Sequence, residues 1–391
     1  MSFLSLFLVV IGLFSFSGFQ TKLIQSFTED LTKRTGQEVL IDKVSFKWNG
    51  KLKFSNLLVL DHHNDTLLFV KDISTSIEDF RKLNKNNYNF DRLETSTVLL
   101  KIKKYPQELS NSLNVFLNKL KKPSDEKRAT FFKSSVITLS KSRFQYVDLN
   151  KVRGKTINIK DIELSAESFK YQLNSFDVDL KILKGVFESS NSKPFNFKGN
   201  VNYSPGTLSL PSFEIDNDKN QVKGSMSLKG KNNSFKDFND NVKIALSIDN
   251  STLDANTLFP NKIKNLYKKP YEISLTASGS LNNLSLKKVL LKNEILFFSG
   301  DLNFNHFFEE QEADWFAIIN DLRLSSKAFE DLEILSNSKK QILKNLGLLQ
   351  LSGEVSSQGD SLNMALVSSN TWGDFSLKGI LGKGLLSSKA F

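Results

Sequence analysis

The chain has 391 residues and 39% hydrophobic content, enough for several packed units or one long repeat array. It contains 33 Phe and no Cys, which excludes disulfides, zinc–thiolate sites, iron–sulfur clusters and thiol catalysis. The net charge of +11 suits a nucleic acid or an anionic membrane surface. However, the lysines are dispersed and arginine clusters are missing, which favours lysine-rich solvated strands.

The first segment of the chain is apolar. Residues 1–19 carry no charged side chain. At a rise of about 1.5 Å per residue, roughly 17 to 19 residues just span a bilayer core of about 30 Å. A cleaved signal peptide and an uncleaved anchor both fit this length. The missing basic start favours the anchor, so we predict a transmembrane signal anchor over residues 1–20.

The charges that flank this segment conflict with an exported chain. Lys22, Lys33 and Arg34 follow it, and no Lys or Arg precedes it. The positive-inside rule would therefore keep the bulk of the chain in the cytoplasm. A start codon assigned too late, which removes a basic leader, would resolve the conflict.

Helical spacing and alternation define the elements that follow. Residues 21–35 and 107–121 place their apolar side chains at helical spacing. From Val39 onward apolar residues alternate with polar ones, which is typical of half-buried strands. Residues 122–130 form a polar linker. We therefore predict an N-terminal α+β cap region over residues 21–130.

The remaining residues, 131–391, contain a repeat. Six blocks share the pattern apolar–x–Gly–x–apolar, and they are centred on Gly199, Gly224, Gly279, Gly300, Gly353 and Gly379. The blocks occur in pairs, and equivalent glycines recur about every 75 to 80 residues, which indicates an array. Each unit is predicted to be a β-meander followed by a helical insert, at 251–269 and 326–347.

The glycines share the parity of the apolar residues in their strands. Gly199 is in phase with Phe197 and Val201, and Gly279 with Leu275 and Ala277. Glycine thus replaces a side chain on the apolar face. It either relieves crowding in a curved sheet or leaves room for a ligand against the backbone.

Apolar strand residues are the candidates for a functional surface. They would line a groove that solvates acyl chains, or they would form the core of a closed sandwich. The candidates are Phe195, Phe197, Val201, Leu208, Leu210, Phe213, Ile215, Val222, Met226, Leu228, Ile273, Leu275, Leu281, Leu302 and Phe304.

One polar cluster resembles a metal site. His62 and His63 lie between Asp61 and Asp65, but the segment DHHND is ordinary turn chemistry, which we favour. The motifs G-x-S-x-G, H-E-x-x-H, G-x-G-x-x-G and the P-loop do not occur, and the chain has three His. We therefore expect no enzyme activity, no metal or cofactor and no nucleic-acid partner.

Several segments, taken in order, resemble a known family. They are QTK at 20–22, RTGQ at 34–37, VLIDKVSF at 39–46, LLVLD at 57–61, DTLLFVKDI at 65–73 and KSSVITLSKSRFQYVD at 133–148. Their order resembles the start of the TamB proteins of the Bacteroidota. The repeat region is similar to the AsmA-like β-repeats that follow in that family.

The resemblance implies a mainly β fold, in which a membrane helix precedes an elongated, repeating β-groove with short helical inserts. It implies a single-pass inner-membrane protein whose bulk lies in the periplasm. The groove would carry phospholipid toward the outer membrane, and the alternative is a scaffold for outer-membrane protein assembly. TamB chains are several times longer and meet an outer-membrane barrel through a C-terminal domain. That domain is not in this sequence, so we expect it to be an N-terminal portion.

Overall fold

A computed structural model describes most of the chain. The described ranges are 22–46, 51–77, 87–120, 131–150, 155–188, 194–217, 219–254, 270–306, 314–329, 347–359, 361–370 and 373–382. The predicted anchor over 1–20 and the linker over 122–130 lie outside these ranges. Within them, no helix is both long and apolar enough to cross a membrane.

The predicted mainly β class is confirmed. Within each unit, hydrogen-bonded strand neighbours follow chain order, and contacts divide the chain into two compact units, residues 1–203 and 204–391. The boundary predicted at 130/131 falls inside the first unit, where the two flanking strands pair with each other. Each unit is described by itself below.

The described part of the first unit contains two helices and eight strands. They are α1 (Lys22–Thr35), β1 (Val39–Phe46), β2 (Lys51–Leu60), β3 (Thr66–Ile77), β4 (Asn87–Lys104), α2 (Ser112–Leu120), β5 (Phe131–Asp148), β6 (Lys155–Gln172), β7 (Ser175–Phe187) and β8 (Pro194–Ser204). Neighbouring strands are antiparallel except β4 and β5, which are parallel, with α2 on the connection between them. Such a crossover is the usual way to join parallel strands.

Helix α1 agrees with the prediction, whereas α2 begins later than residue 107. Gln107 has a φ of 66°, a left-handed conformation that a helix does not continue through. Asn111 then supplies the cap, since its Oδ1 accepts a hydrogen bond of 2.9 Å from the Asn114 amide. The predicted start was wrong because the cap, rather than the apolar spacing, sets the first turn.

Bulges bend the long strands of the first unit. Strands β4, β5 and β6 each have 18 residues. Thr97, Lys141, Asp161 and Ser168 lie within them with left-handed φ angles of 50–55°. The register between strands shifts beside Lys141, Asp161 and Ser168. A bulged strand bends and twists more strongly, so this sheet curves around its apolar face.

That apolar face is a buried core. A row of aromatic rings crosses it from β4 to β8: Phe90, Phe132, Phe169, Phe176 and Tyr203, with successive centroids 5.0, 5.6, 6.5 and 5.1 Å apart. The first four are nearly inaccessible to solvent. Full burial of one such side chain contributes about 1.5–3 kcal/mol. The first unit is therefore stabilised by an interior that solvent does not reach.

The described part of the second unit contains ten strands and one short helix. They are β9 (Thr207–Asn217), β10 (Asn220–Gly230), α3 (Phe238–Asn241), β11 (Val242–Leu253), β12 (Tyr271–Gly279), β13 (Asn283–Lys292), β14 (Leu296–Asn305), β15 (Asp314–Leu324), β16 (Leu349–Gln358), β17 (Ser361–Asn370) and β18 (Gly373–Gly382). One-turn 3-10 helices occupy Lys231–Asn233 and Ser326–Phe329. All strand pairs within this unit are antiparallel.

The sequence repeat corresponds to four strands. The glycine blocks fall on every second strand, from β8 to β18, so two blocks and the strands between them make one period. Residues 251–253 are strand rather than helix, which corrects the start of the first predicted insert. Residues 255–269 and 330–346, which hold the rest of both inserts, lie outside the described residues.

The glycines of these blocks make room for backbone. A Cβ would lie within 3.0 Å of a carbonyl oxygen on the following strand: Ser247 for Gly224, Asn283 for Gly279, Ile318 for Gly300 and Ala365 for Gly353. Real Cβ atoms essentially never approach an atom that closely. Of the two explanations that the sequence left open, close strand packing in a curved sheet accounts for these four glycines.

We therefore expect Gly300→Ala to destabilise the protein by about 1–3 kcal/mol, as overpacked cores are destabilised. Gly300 has no left-handed φ, so the added methyl acts through its contact with the Ile318 carbonyl. Urea unfolding would measure the change. Gly379→Ala is the matched control, because nothing lies within 4 Å of its added Cβ. Equal stabilities of the two variants would contradict this explanation.

A carboxylate supports one bulge of the second unit. Lys288 has a φ of 51°, and the register between β13 and β14 shifts beside it. The Lys288 amide donates a 2.9 Å hydrogen bond to Asp301 Oδ1, and Lys287 Nζ lies 3.1 Å from Asp301 Oδ2. The Lys288 amide, aided by Lys287, lowers the pKa of Asp301 below its ordinary value of 3.8.

Asp301 should make stability depend on pH. Because its pKa is lower in the folded state, the ionised form stabilises the fold above pH 3.8, and this contribution is lost as the pH falls below that value. Asp301→Asn should unfold at lower urea concentration at pH 7 and lose less stability between pH 5 and pH 3 than the wild type. If the stabilities of the wild type and of Asp301→Asn fell by the same amount between pH 5 and pH 3, this role of Asp301 would be contradicted.

Candidate functional site

The second unit has one continuous apolar face. Residues directly opposite each other on neighbouring strands share a face of the sheet. One such row crosses β9 to β17: Leu210, Met226, Leu246, Ala277, Leu286, Leu302, Ala317, Val355 and Met364. Every member of the row is apolar, so the face is uninterrupted along nine strands.

The opposite face is mostly polar. The adjacent row across the same strands reads Ser209, Ser227, Ala245, Ser278, Ser285, Asn303, Phe316, Ser356 and Asn363. Ion pairs such as Lys292–Glu272 at 2.8 Å also lie on strands of this unit. The sheet is therefore two-sided, with water on its polar side.

The apolar face is only half-buried. The hydrophobic residues of this unit that are buried are Phe213, Val242, Tyr271, Ala277, Val289 and Ala317, whereas most of the face is of intermediate exposure. A sandwich would cover it with a second sheet, but the ten strands described here belong to one hydrogen-bonded sheet. The apolar surface thus stays in contact with solvent over the part of the chain that the structure describes.

The structure places fourteen of the fifteen predicted residues on strands. Phe195, Phe197 and Val201 lie on β8; Leu208, Leu210, Phe213 and Ile215 on β9; Val222, Met226 and Leu228 on β10; Ile273 and Leu275 on β12; Leu302 and Phe304 on β14. The predicted residues on β9, β10, β12 and β14 lie on the apolar face, as their cross-strand partners show. Leu281 instead lies in the turn between β12 and β13, because β12 ends at Gly279.

The β8 candidates belong to the first unit. Val201 packs against the buried core there, and Phe195 contacts the Phe187 ring with centroids 5.1 Å apart. Sequence reasoning missed the face residues of β11, β13 and β15, which include Ile244, Leu284 and Ile319. Their alternation was visible in the sequence.

A polar cluster forms a second candidate site, in the first unit. His63 Nε2 lies 2.8 Å from Glu108 Oε1, and His62 Nε2 lies 2.9 Å from Glu108 Oε2. The His63 and Tyr105 rings are tilted against each other with centroids 3.8 Å apart. The hydrogen bond from His63 holds the pKa of Glu108 below its ordinary value.

The predicted turn at 61–65 is confirmed, and Asp61 organises it. Asp61 Oδ1 accepts hydrogen bonds from the amides of His63 at 2.9 Å and Asp65 at 3.0 Å. Its Oδ2 accepts a 2.7 Å hydrogen bond from the Tyr105 hydroxyl. Burial, with this hydrogen bond, raises the pKa of Tyr105. Glu108, the partner of both histidines, was missed because it is distant in the sequence.

Comparisons with known proteins identify no relative. No protein-family model matches the chain, and a search of curated proteins finds no match.

The difference in burial between the units predicts different mutational costs. Replacement by Ala of Leu68, which is fully buried in the first unit, should lower the free energy of unfolding by about 2–5 kcal/mol. Replacement by Ala of Leu246, which is half-buried on the apolar face, should lower the free energy of unfolding by about 1 kcal/mol, because much of its surface is already exposed to solvent. Urea unfolding followed by circular dichroism would compare them. Equal losses would mean that the apolar face is covered.

Proposed function

We propose that the chain is an inner-membrane-anchored periplasmic protein of the AsmA/TamB type, and that its second unit offers an apolar β-groove for phospholipid transport toward the outer membrane. The uninterrupted apolar row across nine strands carries this proposal. The protein acts by presenting this surface and not by catalysis.

The size of the face supports a lipid ligand. Neighbouring strands lie about 4.8 Å apart, so nine strands present a strip about 40 Å long. Soluble proteins rarely expose contiguous apolar patches larger than a few hundred Å², and larger ones mark interaction sites. Leaving such a strip wet costs about 25 cal/mol per Å². Acyl chains would remove this cost along the whole strip.

The composition of the face also fits acyl chains. Along the row from Leu210 to Met364 there is no charged or hydrogen-bonding side chain. Such a surface cannot select a ligand by polar contacts, and it tolerates sliding along its length. The headgroup of a bound phospholipid would remain in water beside the sheet.

The resemblance to TamB supplies the direction and the location. The apolar segment over residues 1–20 would be the single membrane span, with the bulk of the chain in the periplasm. The proposed partners are phospholipid, the inner membrane and an outer-membrane barrel. Nucleic acid is not a partner in this proposal.

One observation favours the alternative, a non-catalytic scaffold for outer-membrane protein assembly. Among the described residues β18 pairs with β17 alone, and it carries the exposed side chains of Phe375, Leu377 and Ile380. An unpaired strand edge can receive a strand of a client protein. Crosslinks from β18 to unfolded outer-membrane proteins, with no lipid copurifying, would favour this function.

Adjacent residues of β17 allow a matched test of lipid binding. Leu366 lies on the apolar face, opposite Gly353 and Leu377, whereas Val367 lies on the other face and is 55% exposed. We expect Leu366→Glu to lower copurified phospholipid, measured by mass spectrometry, by about tenfold or more. A buried carboxylate costs well over the about 1.4 kcal/mol that a tenfold change represents.

Val367→Glu introduces the same charge one residue away and should bind phospholipid as the wild type does. Circular dichroism would establish that both variants fold. A folded wild-type protein without phospholipid, or equal phospholipid in both variants, would refute the proposed groove.

A further inference from the structure

The two histidines and the glutamate of the first unit bring three metal-ligand atoms together. The side chains come from the β2–β3 turn and from the loop between β4 and α2, 46 residues apart for His62 and Glu108. Their ligand atoms all lie within 4.8 Å of one another. Both imidazoles present Nε2 to one carboxylate. In the tautomer that carries the proton on Nδ1, both Nε2 electron pairs and a carboxylate oxygen can meet at a common point.

We propose that His62, His63 and Glu108 bind one Zn²⁺ ion. Imidazole nitrogen and carboxylate oxygen are ordinary zinc ligands, with bonds of about 2.0–2.2 Å. Ligand atoms around a tetrahedral ion of that size lie about 3.3 Å apart. The observed N–O distances of 2.8–3.1 Å need to lengthen by only a few tenths of an ångström.

The histidine side of the site is held in place before any ion arrives. The hydrogen bonds of Asp61 to the turn amides and to Tyr105 fix the segment that carries both histidines. Asp61 thus supports the turn from outside the ligand group, which consists of His62, His63 and Glu108. A site with ligands already in position loses less conformational entropy on binding.

The glutamate side is also anchored. The Glu108 amide donates to the Tyr105 carbonyl at 3.2 Å. Asn150 joins the same loop, donating to that carbonyl at 2.9 Å and accepting from the Gln107 amide at 2.8 Å. The loop that carries Glu108 is therefore tied to the end of β5.

The neighbouring cations do not compete for Glu108. Lys101 and Lys103 both pair with Asp65, the former at 3.0 Å, and lower the pKa of that carboxyl to about 2. Glu108 is thereby left to the histidines. The His63 side chain is 46% exposed, so solvent reaches the site and water can take the fourth position on zinc.

Such an ion would fasten the β2–β3 turn to the loop after β4. The ion would add to the hydrogen bond from Tyr105 to Asp61, which already joins these two segments. This role is independent of lipid binding, which concerns the second unit.

Titration of the metal-free full chain with ZnCl₂, followed by calorimetry, tests the site. We expect one ion per chain, an increase in the thermal midpoint with zinc, and at least a tenfold loss of affinity in His63→Ala and in Glu108→Gln. Replacement of zinc by Co²⁺ should give the visible absorption of a tetrahedral complex. These two side chains are partly exposed, so both variants should fold.

His306→Ala is the matched control, since His306 is exposed and lies in the second unit. It should bind zinc as the wild type does. Absence of saturable binding by the wild type would overturn the proposal. So would unchanged affinity in both His63→Ala and Glu108→Gln, or a loss of the same size in His306→Ala.

Discussion

The close approach of one strand's carbonyls to the glycines of its neighbour is the constraint on which the second unit depends. Gly224, Gly279, Gly300 and Gly353 all meet a carbonyl of the following strand where a side chain would begin. A side chain at any of these points would push the strands apart. Close strand packing therefore requires glycine at one point on each of β10, β12, β14 and β16, at the spacing of the sequence repeat.

In both units apolar and polar residues alternate along the strands, but the apolar faces differ in burial. In the first unit long bulged strands bend around an aromatic row, and Phe132 and Phe169 are almost fully buried. In the second unit ten shorter strands carry an equally apolar face that remains half-exposed. Burial stabilises the first unit directly. The second keeps an apolar surface available, which is what a lipid ligand requires.

Much of this arrangement could be predicted from the sequence, because alternation and repeat spacing are local signals. The mainly β class, helix α1, the turn at 61–65 and the face residues of β9, β10, β12 and β14 follow from them. The late start of α2 could not be predicted, since it depends on the left-handed Gln107 and the Asn111 cap. The pairing of His62 with Glu108 depends on the register that brings distant strands together.

The account turns on whether the apolar face of the second unit contacts phospholipid. A photo-reactive residue placed at Leu246, on that face, and separately at Ala245, on the polar face, would measure this in intact cells. The account predicts phospholipid adducts at position 246 and none at position 245. Protein adducts alone at position 246, or equal lipid labelling at both positions, would contradict it.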